Sequence, residues 1–147
     1  MIEIKKRSLN KSNELWNEAQ KLILSGCQLY SKGPETHIKG VSPIYIDHGK
    51  GSHVWDPDGN EYIDYDMGLG PILLGYQYEA VDNAVIKQLR RGMGYSLVAP
   101  EEVEYAKLCV KYIPSAEKVR FLKTGSSATE AAIRIARAYT GRKHIIR

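Results

Sequence analysis

The sequence has few cysteines and no long apolar run, and these absences exclude several classes of protein. Cys27 and Cys109 stand far apart in 147 residues, without a CxxC or Cys/His spacing around either. This arrangement favours neither a disulfide framework nor a structural zinc site. No stretch approaches the roughly 18 consecutive apolar residues of a membrane span. Residues 1–7 become charged at once and have no signal-peptide core. We therefore expect a soluble, cytoplasmic protein with no membrane partner.

The composition is that of an ordinary globular protein. Apolar residues make up 43% and charged residues 26% of the chain. These values exclude a disordered chain, a collagen-like repeat and a low-complexity linker. Lys and Arg number 21 against 17 Asp and Glu, which gives a formal net charge of +4. Because so small a surplus is spread along the chain, it is weak evidence for a nucleic-acid partner, and we expect none.

The first half of the chain predicts a helix followed by a small antiparallel sheet. Ser12 is a suitable N-cap for a helix with apolar residues at helical spacing, and Gly26 is suited to end it. Three short apolar runs, separated by turn sequences, then predict a meander. The predicted strands are Ile44–Ile46, Ser52–Trp55 and Glu61–Tyr65.

After the glycine-rich passage 67–76, the pattern changes to the alternating helices and strands of an α/β fold. Helices are predicted at Glu79–Arg91, from Pro100 onward and at Ser126–Tyr139, and buried strands at Val119–Leu122 and His144–Ile146. Two strands are too few for a stable parallel sheet, which is normally covered on both faces. The sequence therefore looks like the beginning of a larger fold.

The strongest local signal for chemistry is the turn that precedes the last predicted helix. Gly125 allows a ligand to approach the backbone, while Thr124, Ser126 and Ser127 place hydroxyls beside the free N–H groups of the first helical turn. These N–H groups and the helix dipole favour a phosphate. An ordinary capped helix explains the same residues, and spacing alone leaves the two interpretations about even.

Other binding motifs are absent or incomplete. The sequence contains no GxxxxGK[ST] motif, and neither Gly68-Leu69-Gly70 nor Gly92-Met93-Gly94 continues to GxGxxG. Asp56, Asp58 and Asn60 suggest a calcium loop, but the glycine and the final glutamate that such a loop needs are missing at the required positions. We expect a hairpin turn there, and no metal site.

Three longer motifs occur in a fixed order along the chain. They are Trp55–Tyr65, Gly68–Gly75, and the run from Val119 through Thr124-Gly125-Ser126 to Arg142. Together they resemble the class III pyridoxal-phosphate-dependent aminotransferases, and within that family the glutamate-1-semialdehyde 2,1-aminomutase group. The resemblance covers nearly the whole chain and corresponds to about the first third of such an enzyme.

The resemblance implies the α/β architecture of PLP-dependent transferases of fold type I, in which a large domain binds the cofactor and a small domain is built from both chain ends. Residues 1–66, the N-terminal helix and meander, would belong to the small domain. Residues 67–147 would begin the large PLP-binding domain. Enzymes of this family work as homodimers on small amino or keto compounds, and we expect the same partners here.

The resemblance also assigns roles to individual residues. Thr124, Gly125 and Ser126 match the family's Ser-Gly-Thr, which holds the phosphate of pyridoxal 5'-phosphate at a helix N-terminus. Ser31 is a candidate for substrate contact. The family's Schiff-base lysine and the aspartate that pairs with the pyridine nitrogen come later in such enzymes. We therefore assign no catalytic residue and expect the 147-residue chain on its own to be inactive.

Departures from the family pattern at Lys32 and at Tyr76, which stands after Gly75 where Gly-His is commoner, leave the substrate open. Lys32 stands where the aminomutases usually have an arginine that reaches the substrate carboxylate, and a lysine cannot form the same bidentate pair. Lys123 replaces the family's usual asparagine before the phosphate turn, and we assign it no catalytic role. The sequence does not separate an aminomutase from a transaminase. The alternative function is a non-catalytic phosphate-binding or interaction module derived from the same fold.

Overall fold

Residues 7–146 are described by a computed structural model of the chain, and they form two compact units divided between Met93 and Gly94. The first unit contains helix α1 (Asn10–Leu22), strands β1 (His48–Lys50), β2 (His53–Trp55) and β3 (Glu61–Ile63), and helix α2 (Glu79–Arg91). The second unit contains helices α3 (Pro100–Tyr112) and α4 (Gly125–Thr140). The domain boundary that the family resemblance implied between residues 66 and 67 is not tested by this division and stays a prediction.

The three strands form an antiparallel sheet in the order β1-β2-β3, so the predicted meander is confirmed. The strand predicted at Ile44–Ile46 is wrong, because β1 begins at His48 and Lys50 pairs with His53. Only two residues then connect β1 to β2, and Gly51 makes this tight turn possible with a φ of 58°. Strand β3 also ends at Ile63, two residues earlier than predicted.

The turn between β2 and β3 is held together by a buried carboxylate. Asp56 is only 2% exposed, and its oxygens accept hydrogen bonds from the Asn60 N–H and side-chain amide, both at 2.8 Å. The Tyr62 hydroxyl donates a third at 2.9 Å. Burial and this bond to Asp56 raise the pKa of Tyr62 to about 12. The predicted hairpin turn is thus confirmed by the structure.

Helix α1 receives its N-terminal cap from this turn. The two carboxylate oxygens of Asp58 accept the N–H groups of Lys11 at 2.9 Å and Ser12 at 3.0 Å. The expectation that Ser12 is the N-cap is wrong, since the helix begins at Asn10 and Ser12 lies fully buried in its first turn. The helix ends at Leu22 and not at Gly26, because Ile23 has an extended backbone.

The glycine-rich passage is anchored to the sheet by Asp64 and Tyr76. Asp64 accepts the Tyr76 hydroxyl at 2.7 Å and the N–H groups of Asp66 and Met67 at 2.8 and 3.1 Å. Burial acts to raise the pKa of Asp64, but these hydrogen bonds outweigh it and the pKa lies below its ordinary value. The Tyr76 ring packs over Gly49, where a Cβ would lie 2.6 Å from it.

In the second unit the helices form as predicted and the strands do not. Helix α3 begins at the predicted Pro100, and α4 extends the predicted helix by one residue at each end. The predicted buried strand Val119–Leu122 is wrong: the segment is irregular, and Leu122 is 44% exposed. The predicted strand His144–Ile146 is also wrong. Strands need a hydrogen-bonded neighbour, and the part of the chain that the structure describes offers none to either segment.

No helix within residues 7–146 combines the length and the apolar content that a membrane span requires.

We predict that Asp58→Asn loosens the start of α1, because it weakens two charge-assisted hydrogen bonds to backbone N–H groups. The amides of Lys11 and Ser12 should exchange with solvent faster than in the wild type, and Tm should fall.

The contribution of Asp58 also depends on pH. Burial acts to raise the pKa of Asp58, but its hydrogen bonds hold this pKa below the ordinary 3.8. The unfolded chain therefore binds the proton first, and the stabilisation present above about pH 4 is lost as the pH falls below it.

Glu18→Gln provides the control for Asp58→Asn, because Glu18 is an exposed carboxylate on the same helix. The assignment of Asp58 as the cap would be contradicted if the amides of Lys11 and Ser12 exchanged at equal rates in the two variants. It would also be contradicted if the difference in Tm between the two variants persisted in acid.

Candidate phosphate site at the start of helix α4

Thr124 is the N-cap of helix α4. Its backbone is extended, with φ −134° and ψ 157°, and its side-chain oxygen accepts the N–H of Ser127 at 3.1 Å. The hydroxyl oxygens of Thr124 and Ser127 lie 2.9 Å apart and share a hydrogen bond. The Thr124 carbonyl accepts the N–H of Ala128 at 3.0 Å. These bonds join residues three or four apart, so the local sequence itself produces the turn.

The cap leaves the first two amides of the helix available. Ser127 and Ala128 donate to Thr124, but the N–H groups of Gly125 and Ser126 have no acceptor among residues 7–146. The Ser126 hydroxyl likewise has no hydrogen-bond partner within that range. Helix N-termini carry a partial positive charge, and adjacent free N–H groups there bind anions.

The space in front of the turn is open. A Cβ built on Gly125 would meet no atom within 4 Å. Residues 124–127 are all exposed, and the first turn of α4 contains no acidic residue. The donor set, the free approach to the backbone and the absence of a competing carboxylate all suit a phosphate group.

The other predicted contact residue, Ser31, lies in the first unit. It sits in a short 3-10 turn, Tyr30–Lys32, and is exposed. Its carbonyl accepts the Thr36 hydroxyl at 3.2 Å, and the same hydroxyl donates to Gly33 at 2.9 Å. These bonds fix the backbone of the turn and leave the Ser31 hydroxyl without a partner among residues 7–146.

The link between Asp64 and Tyr76 is a feature that the sequence did not reveal. From the sequence, Tyr76 is only a departure from the family pattern. A contact across twelve residues cannot be derived from periodicity. The sequence feature most nearly related to this contact is a pair of glycines. Gly49 leaves room for the Tyr76 ring, and Gly75 leaves room for the backbone of Gly51.

The fold is shared with solved aminotransferases. An omega-transaminase from Sphaerobacter thermophilus aligns with 91% of this chain at a TM-score of 0.83 and 29% identity, and the aligned part is 30% of that structure. A transaminase solved with PLP bound aligns with 92% of the chain at a TM-score of 0.84 and 28% identity, over 31% of its own length. The chain thus has the fold of the N-terminal part of the fold type I PLP-dependent transferases, as expected.

The sequence comparison identifies the family. The profile of the family described as aminotransferase class-III matches residues 36–147, which is most of the chain. The chain belongs to this family.

Similar curated proteins carry the name glutamate-1-semialdehyde 2,1-aminomutase. The protein from Archaeoglobus fulgidus is 46% identical over 139 residues, covering 95% of this chain and 32% of its own length. The protein from Persephonella marina is 42% identical over 143 residues, covering 96% of this chain and 32% of its own length. The chain therefore spans about a third of the length of the curated relatives it matches.

We predict that the hydroxyls of Thr124 and Ser126 have separable roles. Thr124→Ala removes the cap and should lower the free energy of unfolding by about 1 kcal/mol, whereas Thr124→Ser should restore most of it. Ser126→Ala should leave stability nearly unchanged, because this hydroxyl holds nothing within the described residues. Denaturant unfolding measures both effects. Equal destabilisation by Thr124→Ala and Ser126→Ala would contradict the geometry.

Proposed function

We propose that this chain forms the N-terminal part of a PLP-dependent class III aminotransferase or aminomutase, and that it binds the cofactor phosphate at the start of α4. The observation that supports this most directly is the turn Thr124–Ser126, where two backbone N–H groups and one hydroxyl remain available at a helix N-terminus. Membership of the family makes the phosphate of PLP the anion that best fits these donors.

Each residue of the turn has a distinct part in the proposal. The N–H groups of Gly125 and Ser126 and the Ser126 hydroxyl donate hydrogen bonds to phosphate oxygens, while Thr124 keeps the turn in place through Ser127. When bound, PLP supplies an electron sink for reactions at the carbon that carries the amino group. The described residues contribute binding and orientation, which position the cofactor for that chemistry.

The substrate we propose is a small amino or carbonyl compound, and Ser31 is its proposed contact. The support for Ser31 is its exposed hydroxyl on a turn whose backbone Thr36 holds. The neighbouring Lys32 offers a positive charge to an acidic substrate, although without the bidentate geometry of an arginine. The names of the curated relatives favour an aminomutase, whereas the two structural neighbours described above are named transaminases.

We also propose a homodimer located in the cytoplasm. Two observations support the homodimer: enzymes of this family work as homodimers, and many apolar side chains of this chain are exposed and available to an interface. No residue of α3 or α4 is buried. Light scattering on the purified protein gives its mass directly, and a monomer under conditions that retain PLP would contradict the homodimer.

We predict that Gly125→Pro weakens PLP binding about tenfold and leaves helix α4 intact, because it removes one N–H donor. Proline is favoured at the first position of a helix, and Thr124 already has the extended backbone that a following proline requires. Helix α3 shows the same arrangement, since Pro100 begins it. Equilibrium dialysis gives the dissociation constant, and circular dichroism checks the helix.

Ser126→Ala should weaken PLP binding to a smaller extent, and Thr140→Ala, at the other end of α4, should not change it. Phosphate-free pyridoxal should bind the wild type and Gly125→Pro equally. A Gly125→Pro protein that stays folded and binds PLP as tightly as the wild type would overturn the phosphate site.

The proposed activity belongs to the complete enzyme of which this chain would be the N-terminal part, so the test uses the full-length product of the gene, loaded with PLP and given candidate amino donors. Conversion of PLP into pyridoxamine phosphate by at least one donor is the expected result for that protein, and no conversion is expected for the 147-residue chain on its own. Saturable PLP binding without conversion by any donor would favour the non-catalytic module instead, and absence of saturable binding would reject both.

A further inference from the structure

Four consecutive residues of the glycine-rich passage have a left-handed backbone. The φ angles are 50°, 62°, 68° and 109° at Met67, Gly68, Leu69 and Gly70. The carbonyl of Asp66 accepts the N–H groups of Leu69 at 2.9 Å and Gly70 at 3.2 Å, which closes the turn. Glycine adopts this conformation without steric cost, but the Cβ atoms of Met67 and Leu69 make it unfavourable. These five residues, the left-handed turn, are therefore strained at two positions.

Hydrogen bonds to one carboxylate hold the left-handed turn in this form. One oxygen of Asp64 accepts the N–H of Asp66 at 2.8 Å and that of Met67 at 3.1 Å, which fixes the backbone where the left-handed residues begin. The other oxygen accepts the Tyr76 hydroxyl at 2.7 Å. The hydrogen bond to Asp64 and burial raise the pKa of Tyr76, so this hydroxyl remains a donor at neutral pH. Asp64 and Tyr76 thus form a latch on the turn.

Tyr76 is in turn fixed to the sheet. Its backbone N–H and carbonyl exchange two hydrogen bonds with Gly51, both of 2.9 Å. Its ring packs over Gly49, where a Cβ would lie 2.6 Å from the ring. The Tyr76 hydroxyl is therefore held at a defined position in front of Asp64, whereas the turn on the other side of this carboxylate carries the strain.

We propose that the left-handed turn is a conformational device with two forms. In the form described here, the latch holds Met67 and Leu69 at positive φ; when the latch opens, both residues return to the negative φ that L-residues favour. Strained residues persist only where the surrounding structure imposes them, and the latch does so here. The side chains of Met67 and Leu69 are 37% and 54% exposed, so the change redirects two apolar groups at the surface. This inference does not depend on the proposed function.

Glycine substitutions test the strain, because they remove the Cβ atom that opposes a positive φ. Met67→Gly and Leu69→Gly should each lower the opening constant of the turn about threefold. Hydrogen exchange of the peptide 65–73, followed by mass spectrometry in the full-length product of the gene and corrected for intrinsic exchange rates, measures this constant.

Leu73→Gly is the matched control for these substitutions. Leu73 lies in the same passage and is 77% exposed, but its φ is not positive. Glycine there adds conformational freedom without relieving strain, so the opening constant should not fall. If Met67→Gly and Leu69→Gly loosen the turn as Leu73→Gly does, the turn is not under strain and the inference fails.

Tyr76→Phe tests the latch, because it keeps the ring over Gly49 and removes only the hydroxyl. It should raise the opening constant about tenfold, since the lost hydrogen bond has a charged acceptor. Tyr78→Phe is the control, because the Tyr78 hydroxyl makes no hydrogen bond with residues 7–146. Equal opening constants in the two variants would show that the hydroxyl of Tyr76 does not hold the turn.

The double variant Tyr76→Phe with Met67→Gly separates a strained device from an ordinary turn. If strain drives the opening, relieving it at Met67 should reverse part of the tenfold rise caused by Tyr76→Phe. If the latch only braces an unstrained turn, glycine should raise the opening constant further, and the inference is overturned. Should Tyr76→Phe fail to fold, the opposite effects expected of Met67→Gly and Leu73→Gly in the wild-type background still decide.

Discussion

The first amides of an α-helix need acceptors that the helix itself cannot provide, and this need shapes both units of the chain. In the first unit it ties α1 to the sheet, because the carboxylate of Asp58 in the turn between β2 and β3 accepts two of these amides. In the second unit Thr124 satisfies one amide of α4 and leaves two. The same backbone property thus gives a structural contact in one place and a candidate binding site in the other.

In the turn Asp56–Asn60, two carboxylates separated by one residue have different roles. Asp56 faces inward and binds Asn60 and Tyr62, which closes the turn. Asp58 projects towards α1 and binds Lys11 and Ser12. Closing the turn fixes the position of Asp58, so the first carboxylate makes the second an effective cap. The sheet and α1 therefore stabilise each other through the five-residue turn 56–60.

The sequence predicted the features that depend on near neighbours. Helices α2, α3 and α4 lie close to their predicted positions because apolar spacing, Pro100 and the residues around Thr124 act within one or two turns. The sequence did not predict the cap from Asp58, which joins residues 46 and 47 apart. Ser12 was a reasonable N-cap on local grounds, but a carboxylate from a distant turn occupies that role.

The misplaced strands have a related cause. Val119–Leu122 has the composition of a buried strand, yet composition only makes a strand possible, and pairing with a neighbour makes it form. The turn after it needs no such neighbour, because Thr124 and Ser127 hold it through bonds between residues three apart. The free N–H groups and the Ser126 hydroxyl of this turn are therefore organised by local sequence, whereas the sheet expected before them depends on partners elsewhere. This difference explains why the sequence indicated the candidate site, while the sheet expected beside it did not form. The turn at the start of α4 is the part of the site that the described residues define by themselves.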